Sequence, residues 1–136
     1  MRVSIIRKAH FNACHRLHVP SWTDQENKDK FGLCNSPNYH GHNYNLEVKL
    51  TGETHPETGY LMDLKDLKDI IKAEVEDRFD HKNLNLDTEE FKELNPTTEH
   101  FAYVIYNLLR DKINADIDIK ISLWETDRNG VEYPAD

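Results

Sequence analysis

Along residues 3–17 the odd positions carry Val3, Ile5, Ala9, Phe11, Ala13, His15 and Leu17, and only Arg7 interrupts the alternation. A period of two puts these side chains on one face of an extended backbone, so the pattern predicts a long half-buried strand. A second such strand is predicted over 42–51, where His42, Tyr44, Leu46, Val48 and Leu50 alternate with Asn43, Asn45, Glu47, Lys49 and Thr51. Between them, residues 19–38 mix Pro20, Gly32 and Pro37 with many charges and read as a long loop holding one helical turn near 24–31. Loops of that length inside a compact domain usually carry function.

The period then lengthens. Asp63 is a suitable N-cap before Leu64, Leu67, Ile70, Ile71, Val75 and Phe79, whose spacing draws an apolar stripe along an amphipathic helix. A second helix is signalled by Asn95, Pro96, Thr97 and Thr98, with Phe101, Val104, Ile105, Leu108 and Leu109 on its inner face. Ile117, Ile119, Ile121 and Leu123 restore a period of two, and Asn129-Gly130 predicts a tight hairpin turn into a last strand over 131–133. Two early strands, two helices and two late strands suggest an α+β sandwich with a four-stranded antiparallel sheet and both helices on one face.

Length and composition narrow this picture. A chain of 136 residues without a long Pro, Gly or Ser tract has room for one core, so residues 1–136 are expected to form a single domain. No apolar run approaches the roughly 20 residues a membrane span needs. With 17 basic against 25 acidic residues, a binder that works by neutralising nucleic-acid or membrane phosphates is not expected. Two cysteines, Cys14 and Cys34, cannot build a disulfide framework, and a reducing cytoplasm is the simplest setting for them.

The chemistry concentrates in the histidines. His40 and His42 flank Gly41, so their imidazoles leave the same side of an extended chain, and His15 lies on the apolar face of the other strand. If the two strands pair, three neutral nitrogens meet and leave one coordination position free, the arrangement of a catalytic rather than a structural zinc. The plainer reading is a pair of hydrogen-bonded histidines. His10, His18, His55 and His100 read as solvated. Cys34 sits in a Gly/Asn/Pro-rich loop, where nearby positive charge would give it thiolate character; the alternative is an inert, partly buried thiol. Asp80-His81 suits a proton relay or a polar helix end, and Glu125 suits a ligand-facing or a merely solvated carboxylate.

The stretches AHFNACHRL (9–17), FGLCNSPNYHGHNYNLEV (31–48), DHKNLNL (80–86), PTTE (96–99) and LWETD (123–127) together resemble the 6-pyruvoyl-tetrahydropterin synthase family, over nearly the whole chain. The resemblance implies a tunnelling fold whose trimers close a barrel and stack as homohexamers, with active sites shared between subunits. It implies that His15, His40 and His42 bind zinc, that Cys34 is the general base, and that Asp80 and His81 relay protons. Glu125 would anchor the guanidine-like edge of a pterin, helped by Thr97, Thr98 and Glu99. The implied substrate is 7,8-dihydroneopterin triphosphate and the implied product 6-pyruvoyl-tetrahydropterin, with Lys8, Arg16, Lys28, Lys30 and Lys82 as candidates for the triphosphate pocket. A sister activity on the same scaffold, 6-carboxy-tetrahydropterin synthase of queuosine biosynthesis, releases acetaldehyde as well. Its interval between the cysteine and His-Gly-His is typically shorter than the five residues seen here. A binding protein without turnover and a zinc hydrolase are the remaining alternatives.

Overall fold

The computed structural model describes residues 1–136. Strand β1 (Arg2–His15) pairs antiparallel with β2 (His40–Glu53), β2 pairs with β4 (Asp118–Trp124), and β4 pairs with β5 (Gly130–Tyr133). The alternation in β1 and β2 resolves as expected. Phe11, Ala13, His15, Tyr44, Leu46, Val48 and Leu50 are buried on one face of the sheet. The other face carries Lys8, Asn12, Asn43 and Lys49, which are exposed. Leu17 falls outside β1 because its N–H turns away to donate to the Cys34 carbonyl at 2.8 Å.

The sheet has five strands rather than four, in the order β3-β1-β2-β4-β5. The extra strand, β3 (Lys82–Asn83), runs parallel to β1 at Ala13 and Cys14. Nothing in a two-residue strand can announce itself as a period. It forms because His81 adopts a left-handed backbone (φ 62°) and donates its N–H to the Asn12 carbonyl at 2.6 Å, turning the chain alongside β1.

Helix α1 (Asp24–Phe31) stands in the long connection, started by a reciprocal capping box between Thr23 and Glu26. The expected helix over 64–79 is three pieces: α2 (Leu64–Ile71), a π-helical turn at Lys72–Glu76, and α3 (Asp77–Phe79). The spacing of its apolar residues explains the interruption. Leu67, Ile71, Val75 and Phe79 are all fully buried and recur every four residues, whereas an α-helix turns once in about 3.6. A strict repeat of four drifts about 40° per step around an α-helix. One wider turn brings Val75 and Phe79 back to the core. Leu64, expected on the inner face, is about half exposed.

After a short helix α4 (Leu84–Asp87), the long helix α5 (Thr98–Arg110) starts at an N-cap in which the Thr97 hydroxyl accepts from the His100 N–H at 3.1 Å. Phe101, Ala102, Ile105 and Leu109 pack into the same core as the sheet's buried face. The turn before β5 also differs from expectation. Gly130 is the first residue of β5, and the loop over 125–129 is closed by the Glu125 N–H donating to the Asn129 carbonyl at 3.0 Å. A Cβ at Gly130 would lie 2.6 Å from the Trp124 ring, so any other residue there would displace that ring. No helix is long and apolar enough to cross a membrane.

Candidate functional site

The antiparallel register sets His15, the last residue of β1, opposite His40, the first of β2, and sets His42 opposite Ala13. All three imidazoles therefore leave the helix-covered face at one end of the sheet. Their ring centroids are 4.8 to 5.0 Å apart and their planes are nearly perpendicular to one another. The ligand atoms they offer lie within 4.8 Å of one another. Two Zn–N bonds of about 2.1 Å span at most about 4.2 Å, so closing on one ion asks only for small side-chain rotations.

The hydrogen bonding around these rings tests whether a metal fits. The Pro96 carbonyl can only accept, so His15 Nδ1 carries the proton and donates to it at 2.8 Å. That fixes the tautomer and leaves His15 Nε2 as a bare lone pair. His15 Nε2, His40 Nδ1 and His42 Nε2 are all buried without a hydrogen-bond partner. Buried polar atoms are rarely left unpaired, and three at one point suit a cation. His42 Nε2 does lie 3.3 Å from Glu125 Oε1, close enough for charge attraction but out of hydrogen-bonding alignment. Burial holds the His15 and His42 imidazoles below their ordinary pKa, although the Pro96 carbonyl opposes this at His15 and the Glu125 carboxylate at His42. Neutral rings are the metal-binding form. The triad can thus coordinate a metal ion.

Glu125 begins the loop after β4 and sits beside the triad. Its Oε2 accepts a short hydrogen bond from the Thr98 hydroxyl at the start of α5, so one end of that helix holds both Glu125 and, through Pro96, His15. Thr97 and Glu99 do not join them. The Thr97 hydroxyl is occupied as the cap of α5, and Glu99 is exposed in the first turn.

Cys34 lies in a 3₁₀ turn (Gly32–Asn35), half-buried. The nearest guanidinium, Arg16, is spent on the carbonyl of neighbouring Asn35, and the thiol is not made more acidic. Burial pushes the Cys34 thiol up, and the Glu125 carboxylate pushes it further. Its position is set by residues that periodicity could not reveal. Buried Asn35 donates to the Leu17 carbonyl at 2.7 Å and contacts His18 Nδ1 at 3.0 Å. Asn27, fully buried, brackets Val19 through both its N–H and its carbonyl. Asn85 does the same for Arg16. The only available signal was that asparagines in loops bond backbone groups. His18 and His100 are correspondingly part-buried and hydrogen-bonded rather than solvated; His100 Nδ1 bonds the Asn95 carbonyl at 2.6 Å.

Asp80 and His81 touch, Nδ1 to Oδ1 at 3.0 Å. Asp80 also accepts from the Asn12 N–H, and that bond, with His81 adding to it, holds the Asp80 carboxyl below the usual carboxylate range. The His81 side chain is 76 % exposed. It lines a surface cavity with Asn12, Cys14, His42, Asn43, Lys82 and Asp87, to which neither Cys34 nor Glu125 contributes. Among the basic candidates, Lys82 shares that cavity, Arg16 spends its Nε on the Asn35 carbonyl, Lys8 faces Glu47 at 3.9 Å, and Lys28 and Lys30 are exposed on α1.

The family model for 6-pyruvoyl tetrahydropterin synthase matches residues 4–136. A 6-pyruvoyl tetrahydrobiopterin synthase of Poecilia reticulata is 42% identical over 129 residues, covering 95% of this chain and 88% of the relative. A dihydroneopterin monophosphate aldolase of Pyrococcus furiosus is 34% identical over 133 residues, covering 97% of each. The solved structure of Caenorhabditis elegans 6-pyruvoyl tetrahydropterin synthase superposes with a TM-score of 0.92 at 38% identity, covering 98% of this chain and 95% of that one. The architecture, a mainly antiparallel sheet covered by helices on one face, is the tunnelling fold. Sequence match, fold and the histidine cluster agree: the chain belongs to the 6-pyruvoyl tetrahydropterin synthase family.

Proposed function

We propose that this enzyme is a zinc-dependent 6-pyruvoyl-tetrahydropterin synthase, a carbon–oxygen lyase that eliminates triphosphate from 7,8-dihydroneopterin triphosphate. The observation that carries the reading is the meeting of three buried, unpartnered imidazole nitrogens with the Thr98–Glu125 pair at one end of the sheet. His15, His40 and His42 hold the zinc, which when bound supplies Lewis acidity toward the hydroxyls of the substrate's side chain. Glu125, with one oxygen steadied by Thr98, accepts hydrogen bonds from the guanidine-like edge of the pterin. Cys34 takes a proton from a side-chain carbon. Its raised pKa in the metal-free chain means that it needs a cation nearby to do so, and the triad is where one is held. Asp80 accepts from His81 Nδ1 and orients the ring, leaving Nε2 to exchange protons.

We further propose a homohexamer built from two trimers. In support, β3 covers β1 only at Ala13 and Cys14 and the Asp80-His81 corner bonds Asn12, so the outer edge of β1 over 2–11 has no strand partner within the chain. Pairing with a second copy removes such an edge.

Product analysis tests the reading, because the family also includes a relative named as an aldolase. Purified protein given 7,8-dihydroneopterin triphosphate should release triphosphate and 6-pyruvoyl-tetrahydropterin without acetaldehyde. Abundant acetaldehyde would instead assign the 6-carboxy reaction. Cys34→Ala should slow triphosphate release by about 100-fold or more; full activity in that variant would point to a zinc hydrolase. His42→Ala should lose zinc and activity together, and retained zinc would show that the ligand set is wrong.

A further inference from the structure

Four buried side-chain polar atoms lack a hydrogen-bond partner. Three are the ring nitrogens of the histidine triad, and the fourth is the Tyr44 hydroxyl. Tyr44 is fully buried on the same face of β2 as His42, two residues away. Its ring is clamped: it stacks on Phe11 at 5.4 Å, meets Phe101 edge-on at 5.1 Å and stands 5.8 Å from the His42 ring. The β2–β4 register, which pairs Asn45 with Trp124, sets Glu125 alongside Tyr44 one step further on.

Core packing gives no reason for the hydroxyl. Phenylalanine would fill the same space without a buried polar atom, and an unpartnered one is destabilising. At neutral pH a phenol keeps its proton and is a donor. Its ring stands against that of His42, and among the three unpaired ring nitrogens His15 Nε2 is fixed as an acceptor.

We propose that Tyr44 is a ligand-binding residue whose hydroxyl donates a hydrogen bond to an oxygen of the polyol side chain of a pterin held at the triad. The identity of that ligand rests on the pterin-synthase reading. Like the unpaired imidazole nitrogens, the hydroxyl is closed to solvent, so the ligand reaches it by parting the side chains around the triad.

Tyr44→Phe separates this role from a structural one. Three quantities are compared with wild type: thermal stability of the metal-free protein, zinc affinity by competition with a chromophoric chelator, and binding of 7,8-dihydroneopterin to the zinc-loaded protein by calorimetry. Stability should be unchanged or higher, zinc affinity unchanged, and dihydroneopterin affinity about fivefold to tenfold weaker. Unchanged dihydroneopterin affinity overturns the proposal. A fall in metal-free stability, whatever the affinity, assigns the hydroxyl to an internal bond and also overturns it. Wild-type protein that takes up zinc but no dihydroneopterin overturns the pterin reading together with this one, which a defect confined to the variant would not.

Discussion

The two ring nitrogens of His15 have opposite surroundings. One of its nitrogens is fixed as a donor by the Pro96 carbonyl, and the other is left bare at the centre of the site. Because burial lowers its pKa in the folded chain, the folded state resists protonation more than the unfolded chain does. His42 shifts in the same direction. Between the depressed folded value and the ordinary value near about 6.5, the unfolded chain binds more protons. The stability of metal-free protein therefore rises with pH across that window and falls as acid takes it below. Urea midpoints of metal-free protein should drop from pH 7.5 to 5.5, and His15→Gln should flatten the slope. A profile as steep in that variant as in wild type would mean that His15 is not the group responsible.

At the scale of elements, the wide turn over 72–76 makes the most specific demand. If it exists to rephase a stripe spaced by four, deleting exposed Ala73 changes the spacing of the buried residues to four, three and four, which a plain α-helix accommodates. The deletion should leave the thermal midpoint within a few degrees of wild type; collapse of the fold would refute the rephasing account. The same helix shows what was legible beforehand. Its cap at Asp63, its length and its stripe were all visible, because each is a local preference of the chain. So were the β1 and β2 faces that bring the triad together, since a period of two and one pairing suffice to align His15 with His40 and His42. What could not be read depends on tertiary partners. The β3 pairing hangs on a single carbonyl of Asn12, Gly130 answers to the Trp124 ring, and the Cys34 turn is held by asparagines that bond backbone far along the chain. The charge beside Cys34 escaped the sequence for the same reason, because Glu125 comes from the loop after β4, 91 positions later in the numbering.

Across the whole molecule, the groups assigned to catalysis fall on two sides of the sheet. The triad leaves the helix-covered face with Glu125 beside it, whereas His81 is exposed in a cavity lined from the opposite face by Asn12, Cys14 and Asn43, with His42 the one triad residue that lines it as well. Cys34 does not line that cavity, so within one chain nothing joins it to His81 there. In the ring of subunits proposed above, the exposed His81 of one copy would be presented to the next, where the free edge of β1 would also find its partner. Complementation measures the difference. Cys34→Ala and His81→Ala should each be inactive alone. Unfolded together and refolded as mixed oligomers, they should recover about a quarter of wild-type activity if each site draws Cys34 and His81 from different chains, because random mixing then unites two intact residues in about one site of four. If both groups serve the site within their own chain, every chain in the mixture carries one defect and no activity returns.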